Sequence, residues 1–172
     1  VYALFLIAGQ LGVGGLQFSV LQRVSYHQDD PAKCSAVTSS ALLLATVSAS
    51  AIMAFMALAA PAISRLLTSP ELEEGLLIAV PGLIFFSANK ILNNTLNGLR
   101  HMRTYAVMQS LRFVLIPVVV AVVTVARLRT PYLALSLTVT EIILFVVLVL
   151  YVYGRVFAWS TGTQLRQEFI PH

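Results

Sequence analysis

Residues 34–64 read CSAVTSSALLLATVSASAIMAFMALAAPAIS and contain no Asp, Glu, Lys or Arg. Roughly 20 apolar residues of helix are enough to cross a hydrocarbon core of about 30 Å. An uncharged stretch of this length therefore predicts a membrane-spanning helix. Residues 1–22 are equally free of formal charge and predict a second one.

The composition of the whole chain excludes most soluble functions. Of the 172 residues, 58% are hydrophobic and only 10% are charged, whereas soluble domains carry about 25% charged residues. The formal net charge is +4, but the basic residues stand singly between apolar blocks. Because they form no basic stripe, we expect no nucleic-acid partner.

Five apolar segments predict an all-α, polytopic transmembrane bundle over residues 1–153. Their approximate bounds are 1–21, 37–60, 75–97, 104–126 and 130–153. None shows the alternating polarity of about ten residues that a transmembrane strand requires. Pro117 lies inside the fourth segment, where it predicts a kink. Residues 154–172 are polar enough to form a cytoplasmic or interfacial tail, or a linker to a further part of the protein.

The basic residues also predict an orientation. Loop 22–36, loop 98–103 and the tail share one face and hold six of them, against three on the other face. Because cytoplasmic loops carry the excess of Lys and Arg, the first face is expected to be cytoplasmic. The chain opens in an apolar run without an initiator Met, so we expect it to be a piece of a longer protein.

The third segment contains most of the polar residues that lie within spans. Asn89, Asn93 and Asn97 recur at intervals of four residues, and Lys90 and Asn94 recur beside them. These intervals place each set along one side of a helix. Because polar groups in a membrane are costly unless they find a partner or a water-filled cavity, they mark a candidate functional site.

Two cations and one acid are predicted to lie near the bilayer centre. Lys90 and Arg112 are each 11 residues from His101, which lies in the turn between the third and fourth segments. At about 1.5 Å per residue they reach the same depth. Glu141, in the fifth segment, lies within about two turns of that level. Tyr105 and Gln109 share a helix face with Arg112.

Three interpretations of this group remain open. Glu141 forms a structural ion pair with Arg112 or Lys90, or the two cations and the amides line a cavity for an anionic or hydroxyl-rich ligand. A proton or cation site at Glu141 is the third, and it is compatible with either of the others. Elsewhere, Gly9, Gly12, Gly14 and Gly15 predict close helix packing rather than a phosphate-binding loop.

Two stretches resemble the bacterial flippases for polysaccharides and lipid-linked oligosaccharides, which are related to the multidrug and toxic-compound extrusion transporters. One is NNTLNGLRHMRTYAVMQSLR at residues 93–112, and the other is LGVGGLQFSVLQRVS at residues 11–25. The resemblance implies that the five segments correspond to helices two to six of a transporter with twelve to fourteen helices in two lobes. The chain would be part of the N-terminal lobe.

The resemblance also implies a function. Such proteins move undecaprenyl-pyrophosphate-linked sugars across the bacterial inner membrane by alternating access, for export of polysaccharides such as O-antigen in lipopolysaccharide. The substrate-binding residues would be Lys90, Arg112, Asn89, Asn93, Asn97 and Gln109. Glu141 would couple transport to an ion or form a structural pair, and Pro117 would be a hinge.

The expected partners are the lipid-linked substrate, the bilayer and polysaccharide polymerase or assembly proteins, with no cofactor and no metal. An ion-coupled exporter of small organic cations is one alternative, with Glu141 as its key residue. A membrane enzyme that acts on polyprenyl-linked sugars is another. It would have to use His27, Asp29 and Asp30, which otherwise belong to a turn and a helix cap. A purely structural bundle is the last.

Overall fold

The computed structural model describes residues 1–157, and this part of the chain is built from helices and turns without a strand. The α-helices are α1 (Tyr2–Val13), α2 (Leu16–Tyr26), α3 (Pro31–Leu66), α4 (Pro70–Ala79), α5 (Gly82–Gly98), α6 (Met102–Val125) and α7 (Leu135–Tyr151). A 3₁₀ turn (Thr130–Ala134) precedes α7 and a π-helical turn (Val152–Phe157) follows it. The predicted all-α bundle is confirmed; of the predicted tail, residues 158–172 lie outside the described residues.

Three helical stretches are long and apolar enough to cross a membrane, namely α3, α6 and the continuous run Thr130–Phe157. Two further pairs of helices reach that length together, but each is bent at a short break. The bend is 50° between α1 and α2 and 43° between α4 and α5. The chain therefore has the helices of a multi-pass membrane protein, with up to five crossings at the five predicted segments.

The break in the first predicted span is caused by two of its glycines. Gly14 and Gly15 have φ values of 53° and 81°, which residues with a Cβ rarely adopt. The expectation of close packing is confirmed for the other two glycines. A Cβ added to Gly9 would lie 2.6 Å from the ring of Phe86, and one added to Gly12 would lie 3.2 Å from the hydroxyl of Ser87.

Proline separates the two halves of the third predicted span. The sequence predicts Pro81 in the first turns of one continuous helix, but it lies between α4 and α5. Because proline has no N–H to donate to the preceding turn, a helix readily ends just before it. Pro117, in contrast, lies inside the unbroken α6, and its role as a hinge stays a prediction.

Helix α5 lies at the centre of the bundle, where it packs against α1, α2, α3, α6 and α7. Two hydrophobic clusters share it. The α2-side cluster comprises Val13, Val20, Val24, Cys34, Ala41, Ala45, Ile91, Leu92, Leu96, Met108, Leu148, Val152 and Phe157. The α4-side cluster comprises Phe5, Ala8, Met56, Ala60, Leu76, Ala79, Val80, Leu83, Phe86, Ala134 and Leu137. A layer of polar residues separates the two clusters along α5 and α7.

Candidate functional site

The polar layer lies where the two apolar clusters meet. On α5, Phe86 ends the α4-side cluster and Ile91 begins the α2-side cluster, with Ser87, Asn89 and Lys90 between them. On α7, Glu141 lies between Leu137 of one cluster and Leu148 of the other. Because α5 and α7 pack against each other, these side chains form one polar zone in the middle of the bundle.

A buried ion pair connects α6 to α7 in this layer. The guanidinium Nη2 of Arg112 lies 3.0 Å from Oε2 of Glu141, and the two side chains are only 12% and 4% exposed. Asn89 donates from Nδ2 to the same Oε2 at 2.8 Å and to the backbone carbonyl of Glu141 at 2.9 Å. The structural pair that the sequence allows is therefore present as Arg112–Glu141, and Asn89 ties it to α5.

Lys90 lies beside this pair but is not part of it. It is half-buried, and within residues 1–157 its ammonium group forms no ion pair. Its Nζ lies 5.4 Å from the ring centroid of Phe86, and Cζ of Arg112 lies 5.1 Å from the same centroid. The predicted approach of the two cations to one depth is confirmed. Because Glu141 neutralises only one of them, the group carries one excess positive charge.

The predicted asparagine stripe divides between two sides of α5. Asn89 and Asn93 are 0% and 4% exposed, and Asn93 donates to the backbone carbonyl of Asn89. Lys90, Asn94 and Asn97 are half-buried instead. The contact of Asn89 with Glu141 directs this side of α5 toward the interior. Because one helical turn takes 3.6 residues, residues at intervals of four lie progressively further around the helix. In this conformation Asn89 and Asn93 are thus directed inward, which the sequence did not predict.

We call the partly accessible polar residues of α5 and α6 the polar face. Its members are Lys90, Asn94, Asn97, Tyr105, Gln109 and Arg112, all of them half-buried. Gln109 donates to the hydroxyl of Tyr105 at 3.2 Å, as the predicted spacing on one side of α6 allows. No hydrogen bond or ion pair of the described residues joins Asn97 or Gln109 to the Arg112–Glu141 pair.

Within residues 1–157, several buried polar atoms of the layer have no hydrogen-bond partner. They are Oγ of Ser87, Oδ1 of Asn89, Oδ1 of Asn93, Nε of Arg112 and Oγ1 of Thr140. A buried polar atom without a partner costs about 1–3 kcal/mol, so each one requires an explanation such as a bound water, an ion or a functional role. Sequence reasoning missed Ser87, Thr140 and Phe86. The spacing of Phe86 one helical turn before Lys90 is the signal that could have identified the cation–π contact.

Two cavities of about 420 Å³ each lie outside the polar layer. One is open to the outside and is lined by the start of α1, by α4, by the 3₁₀ turn and by residues of α6 and α7. The other runs between α2 and α3 and includes Arg23. Neither is lined by Lys90, Arg112 or Glu141.

The acidic turn before α3 has a capping role. Oδ1 of Asp30 accepts from the backbone N–H of Lys33, whose ammonium lies 2.9 Å from Oδ2. The hydrogen bonds and charge of Lys33 lower the pKa of Asp30 below its usual value of 3.8. Nδ1 of His27 lies 3.0 Å from the carbonyl of Arg23. Among the described residues, no cluster of three His, Cys, Asp or Glu side chains could hold a metal ion.

No family model, curated protein or solved structure matches this chain.

Proposed function

We propose that this chain is part of a transporter that flips oligosaccharides linked to undecaprenyl pyrophosphate across the bacterial inner membrane. In this proposal two helical lobes alternate their access around a central site, and the exported sugars build a surface polysaccharide. The observation that carries the proposal is Lys90, a half-buried ammonium in the middle of the bundle without an ion-pair partner among the described residues.

The charge of Lys90 fits an anionic substrate. A cation at the depth of the bilayer centre is costly, and proteins retain one there mainly for a partner or a substrate. Pyrophosphate offers several oxygens to an ammonium, which carries three donors on a flexible stem. The remainder of the polar face would supply hydrogen bonds to sugar hydroxyls through Asn94, Asn97 and Gln109.

In this proposal the other predicted site residues have different tasks. Arg112 is paired with Glu141, so it contacts the substrate only if the pair opens. Asn89 holds Glu141, and Asn93 supports Asn89. Pro117 lies five residues beyond Arg112 on the same helix, and bending at Pro117 would move the arginine relative to Glu141.

An ion-coupled exporter of small cations is the second candidate, and the burial of Glu141 is the observation that favours it. Its carboxylate, 3% exposed, would take up the coupling proton or cation. Arg112 and Asn89 already occupy Oε2, however, and the excess positive charge would repel a cationic substrate. Drug resistance that depends on Glu141 and is unchanged in Lys90→Met would favour this candidate over the flippase.

The test of the flippase is Lys90→Met in the full-length protein, in cells whose surface polysaccharide depends on it. Methionine retains most of the apolar stem and leaves the Arg112–Glu141 pair intact. We expect surface polymer to fall at least about tenfold, as for the loss of one charge-assisted contact, while the amount of protein in the membrane stays unchanged.

Lys33→Met is the matched control, because Lys33 is an exposed lysine at a helix end. It should leave the polymer at the wild-type level. Wild-type polymer in Lys90→Met would contradict the proposal.

A further inference from the structure

The cavity between α2 and α3 differs from the polar layer in position and composition. Its volume is about 420 Å³, and it forms a groove between two antiparallel helices that are joined by a short turn. Arg23 and Ser19 line the part of it that lies toward the turn. Leu16, Ser40, Ala41 and Leu44 line the part farther along the helices, and the hydroxyl of Ser40 donates to the carbonyl of Ala36 at 2.8 Å.

The one charged residue of the groove therefore lies near the turn, and its two leucines lie farthest from the turn. At 1.5 Å per residue, Arg23 lies about 5 Å and Leu16 about 15 Å from the end of α2. Since the turn after α2 is at the membrane surface if the helices span the bilayer, Arg23 lies at the level of lipid headgroups. Leu16 and Leu44 lie at the level of acyl chains.

Two donors in the part of the groove toward the turn have no acceptor within residues 1–157. Arg23 is exposed, and its guanidinium forms no ion pair or hydrogen bond within the described chain. Ser19 lies one turn before Arg23 on the same side of α2, and its hydroxyl likewise has no hydrogen bond there. The exposed hydroxyls of Thr46 and Ser50 on α3, in contrast, each donate to the carbonyl four residues earlier, at 2.8 Å.

We propose that the groove binds one phospholipid molecule. Its phosphate contacts the guanidinium of Arg23 and the hydroxyl of Ser19, and one acyl chain lies against Leu16, Ala41 and Leu44. Charge complementarity selects this occupant, because a phosphate supplies the acceptors that these donors lack. A further helix packed into the groove would have to bring its own anion to Arg23, because burial of an unpaired charge is strongly unfavourable. This site is independent of the proposed transport function.

The test is native mass spectrometry of the full-length protein, titrated with palmitoyl-oleoyl phosphatidylglycerol in mild detergent. Two variants change the groove: Arg23→Gln removes the charge, and Ala36→Trp fills the groove from an exposed position on its lining. Arg103→Gln and Ala54→Trp are matched controls at exposed positions away from the groove. We expect roughly tenfold less bound lipid in each groove variant and wild-type binding in both controls.

Two further probes test whether binding needs both the phosphate and the acyl chains of the lipid. Diacylglycerol with the same acyl chains lacks the phosphate, and inorganic phosphate lacks the chains, so both should bind at least about tenfold more weakly than the phospholipid. Equal lipid binding in wild type and Arg23→Gln would overturn the proposal, as would equal binding of diacylglycerol or of inorganic phosphate. If Ala36→Trp does not fold, Arg23→Gln still decides, because its side chain is exposed. Loss of lipid binding with normal polysaccharide would separate this site from the transport site.

Discussion

Two ion pairs of similar length lie in opposite surroundings. Arg112 and Glu141 meet at 3.0 Å with side chains 12% and 4% exposed, whereas Lys33 and Asp30 meet at 2.9 Å with side chains 64% and 39% exposed. The buried pair connects two helices through the middle of the bundle. The exposed pair joins residues three apart at the start of one helix. Two ion pairs with equal N–O distances therefore need not contribute equally to stability.

The difference follows from what happens to one charge of the pair when the other is removed. Water solvates a charge at an exposed position, so an exposed pair contributes little to stability. A buried charge that loses its partner has no such substitute, and its desolvation is left uncompensated. We therefore expect the effects of substitution to decrease from the buried pair, through the hydrogen bond that supports it, to the exposed pair.

Replacement of Arg112 by methionine should have the largest effect. It leaves the carboxylate of Glu141 buried with Asn89 as its remaining side-chain donor. We expect a loss of about 3–5 kcal/mol in the free energy of unfolding, measured by titration with denaturing detergent in mixed micelles.

The double variant Arg112→Met with Glu141→Met is the control for this prediction. It removes both charges, so its stability should lie near or above that of the wild type. If the single variant were as stable as the double variant, the buried pair would contribute no more to the free energy of unfolding than an exposed pair.

Asn89→Leu should have an intermediate effect. It removes the two hydrogen bonds to Glu141 but also an oxygen, Oδ1, that has no partner among residues 1–157. We expect a loss of about 1–2 kcal/mol in the same measurement. Asn97→Leu is the matched substitution at a half-buried position without a side-chain hydrogen bond among the described residues, and it should be neutral or stabilising. Equal losses in the two variants would show that Asn89 does not support the pair.

Asp30→Ala should have the smallest effect, and the effect should depend on pH. Lys33 lowers the pKa of Asp30 in the folded protein. This contribution to stability is therefore fully present above the usual pKa of 3.8 and is lost as pH falls through the lower, folded value. Thermal unfolding of wild type and variant should differ at neutral pH and converge in strong acid. Asp29→Ala is the control, and a difference that grows on acidification would contradict this assignment.

The sequence predicted the spans but not their internal breaks. Apolar stretches with at most one formal charge each located all five segments, because hydrocarbon excludes charge over a known thickness. Gly14, Gly15 and Pro81 lie within apolar runs that are otherwise suitable for a span. A glycine either allows close packing, as Gly9 does against Phe86, or adopts positive φ, as Gly15 does. Which of these occurs depends on the neighbouring helices, which the local sequence does not specify.

The sequence predicted the level of the candidate site along the helices but not which side chains are directed into the bundle. Counting residues from the turn brought Lys90 and Arg112 to one level and Glu141 to within about two turns of it, because helical rise is constant. The inward rotation of Asn89 depends on α7, whose position relative to α5 is set by packing across the whole bundle. Spacing alone therefore placed Asn89 and Asn97 on one stripe, although they lie in different surroundings.

The central claim is that Lys90 is the charge left available for an anionic substrate, whereas Arg112 is engaged by Glu141. The most direct measurement is the dissociation constant of undecaprenyl pyrophosphate for the full-length protein and for Lys90→Met in the same detergent. The account predicts affinity at least about tenfold weaker in the variant, with its free energy of unfolding undiminished. Equal affinity in the two proteins would contradict it.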